Sequence, residues 1–142
     1  MKAASRPQWV CEIEVRPAFH DLDPMDIVWH GHYVKYLELA RCALLDRLDY
    51  GYRQMRDSGY AWPVVDMRLK YVAPLSFDQR VIVRAEITEW ENRLRFDYLL
   101  SDAASGARLT KGYTVHVAVE LATREMQFVC PPVLLQRLGI AP

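Results

Sequence analysis

Neither sign of charge prevails in this chain: 18 basic side chains balance 18 acidic ones, and the formal net charge is zero. A nucleic acid or an anionic membrane surface is met by a basic patch or stripe, so composition offers neither as a partner. No apolar run approaches the ~18 residues of a membrane span. The opening Met1-Lys2-Ala3-Ala4-Ser5 leads into no apolar signal core. Cysteine is scarce, odd in number and scattered (Cys11, Cys42, Cys130), with no CxxC pair. That excludes a disulfide framework and suits a reducing cytosol. There is no repeat, low-complexity tract or linker. The expectation is one cytoplasmic domain over residues 1–142, burying roughly 70% of its extended surface. Its hydrophobic fraction of 51% is ordinary for a globular core.

What the chain does have is a crowded loop. Residues 19–33, Phe-His-Asp-Leu-Asp-Pro-Met-Asp-Ile-Val-Trp-His-Gly-His-Tyr, set three carboxylates and three histidines around a proline. Packing alone gives little reason for such a density of titratable groups. A helical pattern starts at its end, near His32. Leu37, Ala40, Leu44 and Leu48 recur at three- and four-residue spacing and form one apolar stripe. Gly51 is the expected stop, followed by a short helix over 52–57.

Elsewhere the period is two. Residues 9–15 read as a first strand ended by Pro17. After Pro63, Val65, Met67, Leu69 and Tyr71 alternate with Asp66, Arg68 and Lys70, a strand with one wet face. Strands follow on Val81, Val83, Ala85 and Ile87, then on Leu94, Phe96, Tyr98 and Leu100, with a hairpin signal at Glu91-Asn92. After a turn at 102–106 comes a long strand with Leu109, Lys111, Tyr113, Val115, Val117 and Val119 on one side. A short strand near 126–129 and a helix over 131–138 close the chain. One amphipathic helix among antiparallel strands buries its stripe when a curved sheet folds around it, an α+β architecture.

That order, with Asp21-Leu22-Asp23-Pro24, Ile27-Val28-Trp29-His30, Tyr33, Glu38, Arg68-Leu69-Lys70-Tyr71, Pro74 and Glu89-Trp90, resembles the hotdog fold. The nearest pattern is its 4-hydroxybenzoyl-CoA thioesterase-like branch, and the chain is similar to the Tol-Pal-associated bacterial thioesterases. The resemblance spans about residues 15–119. It implies a thioesterase hydrolysing an acyl-CoA or an acyl-carrier-protein thioester, without metal or other cofactor, in a homodimer or homotetramer whose long strand pairs with its own copy. It gives catalysis to Asp23 and carbonyl polarisation to the backbone amide of His30. Tyr33 and Glu38 on the helix, and Arg93 and Arg95 at the hairpin, are implied substrate contacts, the two arginines for CoA phosphates. Family members carry a small residue and glycine after the proline; this chain has Met25-Asp26, which bears on the loop geometry and adds a negative charge near Asp23.

The chemistry asks for these residue types. Amides in a first helical turn lack intrahelical acceptors and sit in the positive end of the macrodipole. Aimed at a developing oxyanion, one such donor contributes about 2.7–4 kcal/mol. Residues 27–32 contain no Ser, Thr, Asp or Asn to cap that turn, which leaves the position open to a substrate carbonyl. Asp23 serves either as nucleophile, through an acyl–enzyme anhydride, or as general base on water.

Plainer readings compete at each position. Asp21 and Asp23 fit an Asx turn, and Asp21 is the better candidate for loop support. His20, His30 and His32 could ligate zinc, but side chains two apart on a helix diverge. Glu38 fits a helix-surface or buried polar contact, Arg93 and Arg95 a solvated strand face, and His116 a satisfied core or interface position. Two other functions remain open: a hotdog 3-hydroxyacyl dehydratase or enoyl hydratase, whose helix approach carries a Pro-Gly turn absent from His30-Gly31-His32, and a non-catalytic acyl-carrier-binding protein.

Overall fold

A computed structural model describes residues 6–140 of the chain; the Met1–Ser5 segment read above for a signal lies outside them. The apolar stripe becomes the long helix α1, Tyr33–Arg47, entered through a 3-10 turn at His30–His32. Leu37, Ala40 and Leu44 are fully buried. Around α1 curves a five-stranded antiparallel sheet built from β1 (Val10–Val15), β3 (Val64–Tyr71), β4 (Val81–Glu89), β5 (Leu94–Asp102) and β6 (Arg108–His116). Its order is β1-β4-β5-β6-β3. The alternating sets on β4 and β5 face α1 with no exposure beyond the 3% of Tyr98, so period-two patterning fixed their register. A short helix α2 (Tyr52–Asp57), a two-residue ladder of β2 (Tyr60–Ala61) with β7 (Val119–Glu120), and the final helix α3 (Pro132–Arg137) complete the chain.

Several expectations need correction. Gly51 does not stop α1. Asp49 turns the chain there with φ 56° while the Tyr50 N–H returns to Leu45 O, and Gly51 is the residue before α2. Asp tolerates the left-handed region because its short polar side chain bonds locally. The long strand ends at His116, so Val117 and Val119 fall outside it. Its core-facing row is not the apolar one: Thr110, Gly112 and Thr114 pair with Leu100, Tyr98 and Phe96, and His116 with Leu94. Thr114 and His116 reach the core because they find internal partners, whereas the buried Thr110 hydroxyl has none among the described residues. The strand expected near 126–129 reduces to one bridge, Val119 with Met126, and Phe128 and Val129 are exposed.

The edge strand β3 departs most from a half-wet reading. Among the described residues its only neighbour is β6, and Val64, Val65, Met67 and Tyr71 are each close to half exposed or more. Its apolar row faces the concave side, where Met67, Leu69 and Tyr71 continue the row of Thr114, Gly112 and Thr110.

Candidate active site

The loop between β1 and α1 is a small closed structure. Leu22 and Val28 form an antiparallel bridge. Within it the Asp23 N–H donates to Ile27 O at 2.8 Å and the Asp26 N–H to Asp23 O at 3.0 Å. Asp26 takes φ 62°, so it supplies the left-handed conformation that a glycine would adopt freely. The departure at Met25-Asp26 therefore leaves a tight turn in place. The turn is held to the rest of the chain by the Val28 N–H, which donates to Leu75 O at 2.9 Å.

Asp23 is half-buried, and its Oδ1 accepts the Met25 N–H at 2.8 Å. That is the Asx turn expected on plainer grounds, and it orients the carboxylate without exhausting it. Oδ2 has no protein partner among the described residues. Asp23 lines a cavity of about 300 Å³ with Val28, His30 and Tyr33 on one side and residues 71–74 on the other.

Asp21 has a different environment. It is 2% exposed and accepts Lys35 Nζ at 2.6 Å, Tyr36 OH at 2.6 Å and the Ala18 N–H at 3.1 Å. Burial alone would raise its pKa, but the bonds from Lys35, Tyr36 and Ala18 together win and hold the carboxyl well below the usual carboxylate range. Burial, and then the bond to Asp21, push the Tyr36 hydroxyl up, so it remains a donor. The Asp21 carbonyl also accepts the Trp29 N–H at 2.9 Å. Asp21 thus ties the start of the loop to α1 and to the turn ahead of it, the supporting role expected of it. Tyr36 is committed to this anchor.

At the helix entrance the amides divide into two groups. Those of Val28, Trp29 and His32 donate to Leu75 O, Asp21 O and Trp29 O. Those of His30 and Gly31 open the 3-10 turn and have no intrahelical acceptor. No other acceptor takes them among the described residues. Trp29 folds its indole over this turn, with ring centroids 5.0 Å from His30 and 5.3 Å from His32. A Cβ on Gly31 would overlap that ring, so the glycine is required by close approach. His30 and His32 flank an indole, and among the described residues no three His, Cys, Asp or Glu side chains gather as a metal site.

Tyr33 is buried, with its hydroxyl accepting the Leu75 N–H at 3.1 Å and its ring edge-on to Tyr71 at 4.7 Å. Burial raises its pKa. Tyr71 donates its hydroxyl to His30 O at 2.7 Å, bracing the turn from the end of β3. Its residue type stood in the motif Arg68-Leu69-Lys70-Tyr71, but nothing in local spacing announced a contact 41 positions away.

Asp23, His30 and Tyr33 are therefore brought together, whereas Glu38, Arg93 and Arg95 are not among the walls of that cavity. Glu38 is exposed on α1. Arg93 makes a two-pronged contact with Glu89, Nε–Oε2 2.6 Å. Arg95 donates to Asp97 at 2.8 Å and stacks over Tyr113 at 4.1 Å.

Known proteins repeat this architecture. A hypothetical protein, TT1821, from Thermus thermophilus superposes with TM-score 0.81 at 28% identity, over 91% of this chain and 97% of its own. A 1,4-dihydroxy-2-naphthoyl-CoA thioesterase from Synechocystis shares the hotdog fold with TM-score 0.81 at 22% identity, over 92% and 96%. In sequence, a Bacillus subtilis protein named "Putative acyl-CoA thioesterase YneP" is 32% identical over 110 residues, 77% of this chain and 78% of that one. Residues 17–138, which run from the crowded loop to the end of α3, match the model of the thioesterase-like superfamily, and the chain belongs to that superfamily.

Proposed function

We propose that the chain is an acyl-CoA thioesterase, hydrolysing a thioester of CoA, or of the same pantetheine arm on a carrier protein, to a free acid and a thiol. The observation that carries this reading is the shared cavity: the Asp23 carboxylate and the turn bearing the unclaimed His30 and Gly31 N–H groups line one space of about 300 Å³. The names of the relatives point the same way.

The substrate carbonyl oxygen accepts the His30 N–H, where negative charge grows as the carbonyl carbon becomes tetrahedral. Oδ2 of Asp23 supplies the attack. As a nucleophile it bonds the carbonyl carbon and expels the thiolate, and water then opens the anhydride. As a general base it takes a proton from the water that attacks. Both routes consume one water and release one acid and one thiol. Tyr33 and Tyr71 wall the site, and Asp21 keeps the loop registered on α1.

The long strand β6, expected to pair with its own copy, is flanked by β5 and β3 and has no free edge; the open edge of β3 supports a homodimer instead. An eight-residue edge with a half-exposed apolar row is a template for pairing, and a second copy antiparallel to it would cover both the edge and the row. In that assembly Arg93 and Arg95 can serve a neighbouring site, which a single copy does not allow.

The test is thiol release across short, long and aromatic acyl-CoAs, with Asp23→Ala beside the native protein. Wild type should release CoA, and the variant should keep its fold and lose at least about a hundredfold in turnover. Full activity in Asp23→Ala would remove Asp23 from the mechanism. A change at the double bond of an enoyl-CoA without CoA release would assign the site to a hydratase.

A further inference from the structure

A second cavity is larger than the one beside Asp23. A chamber of about 680 Å³ lies between the second half of α1, α2 and the ends of β5 and β6, within the range of roughly 300–1,000 Å³ typical of small-molecule sites. Leu45, Met55, Trp62, Leu94 and Phe96 give it mainly apolar walls. Into this lining α1 brings Arg41, half-buried.

The hydrogen bonds behind Arg41 run in one direction. Arg41 donates to Tyr98 OH at 3.2 Å, so the Tyr98 proton goes to Thr114 Oγ1 at 2.8 Å. The Thr114 proton then goes to His116 Nε2 at 2.9 Å, because Nδ1 of His116 must donate to the Trp62 carbonyl at 3.1 Å. Every member of this chain is neutral except Arg41. Burial, with the charge of Arg41 second, pushes His116 down to about 4, so the imidazole is neutral and adds no second positive charge. One of Arg41's five N–H groups is used, and no carboxylate lies within ion-pairing distance of it among the described residues. Asp46 and Arg56, also on the chamber wall, are exposed and make no ion pair with it or with each other.

A guanidinium beside apolar walls, with no internal counter-charge and unused donors in a planar fork, matches a carboxylate. We propose that this chamber receives the far end of the acyl group and that Arg41 selects acyl groups with an apolar body and a distal carboxylate. The inference rests on the thioesterase and dimer readings above. β3 starts just after Trp62-Pro63, which line the chamber, and ends at Tyr71, which lines the Asp23 cavity. Antiparallel self-pairing about the middle of β3 would set the Asp23 cavity of one copy beside the chamber of the other. The thioester would then sit at Asp23 and the acyl body would cross the interface to Arg41.

The experiment compares kcat/KM for adipoyl-CoA against hexanoyl-CoA, and for suberoyl-CoA against octanoyl-CoA, in wild type, Arg41→Met and Arg41→Lys. The ratio within each pair cancels any general damage to folding. Wild type should favour the carboxylated member by about ten- to a hundredfold, as for a hydrogen bond to a charged group. Arg41→Met should bring the ratio to one or below, and Arg41→Lys should keep part of the preference. A wild-type ratio near one, or the same ratio in Arg41→Met, overturns the proposal. Titration of sodium octanoate into each protein separates this from failure of the thioesterase reading. If no acyl-CoA is cleaved, octanoate binding that weakens at least tenfold in Arg41→Met upholds the carboxylate site, and equal binding sinks it.

Discussion

Replacing Asp21 by alanine removes the acceptor that joins the loop to α1, and the structure sets what that costs. Tyr36 OH is the donor that suffers: it is buried, its bond to Asp21 is 2.6 Å, and among the described residues it has no other acceptor. A buried donor left unsatisfied costs about 1–3 kcal/mol. Lys35 is 46% exposed on its side chain and turns to water, so its share is about 0–1 kcal/mol. The half-exposed Ala18 amide adds little. The sum is about 3 kcal/mol, a fall in Tm of about 10 °C for a domain of this size. Chemical denaturation at pH 7 measures it, and Tyr36→Phe closes a double-mutant cycle. The double variant should recover about 1–2 kcal/mol relative to additivity, because it no longer strands the hydroxyl. The pH dependence carries the same signature. The native carboxyl lies below its unfolded value of about 3.9, so both states are ionised above roughly pH 5 and the stabilisation is complete there. It is lost as pH falls below 4 through the lowered native value, and Asp21→Asn should lack that part of the acid limb. Additive effects of Asp21→Ala and Tyr36→Phe, or a cost under about 0.5 kcal/mol for Asp21→Ala, would refute the anchoring role.

Two other perturbations test separate parts of the account. His116 is buried with its native pKa near 4, below the unfolded value of about 6.5, so stability should fall as pH drops through that interval while the unfolded state takes up the proton. Unfolding at pH 7.5 and pH 5 should differ by about 2 kcal/mol more in wild type than in His116→Gln; equal slopes would mean that His116 does not titrate as its burial implies. Gly31→Ala places a methyl where the Trp29 ring lies, so thiol release should drop about tenfold or more, the scale of a displaced reacting geometry, with a changed Trp fluorescence spectrum. Native activity in that variant would separate Trp29 packing from the turn.

The local parts of this molecule were legible in the sequence. The stripe of α1, the bounds of α2 at Tyr52–Asp57 and the β4–β5 hairpin at Glu91-Asn92 follow from periodicity and turn chemistry acting over a few residues. So does the placing of Asp23, His30 and Tyr33 in one cavity, since a short loop joins them to one helix start. What stayed hidden depends on contacts between distant segments. Tyr71 reaches His30 across 41 positions, and Tyr36 reaches back to Asp21. Thr114 and His116 face inward because their partners come from β5 and from Trp62. Gly51 looked like a stop because glycine is the common helix terminator, yet Asp49 took the left-handed position two residues earlier. Glu38, Arg93 and Arg95 stand apart from Asp23 in one copy, and a motif carries no information on what a second copy supplies.

The most direct measurement is the chemical shift of the His30 and Gly31 backbone amide protons in isotopically labelled protein, taken with and without an acyl-CoA analogue whose thioester is replaced by a ketone. If the helix entrance binds the carbonyl oxygen, the His30 amide proton moves strongly downfield on saturation, in wild type and in Asp23→Asn alike. If the analogue binds and that resonance stays where it was, the carbonyl lies elsewhere and catalysis does not run through this turn.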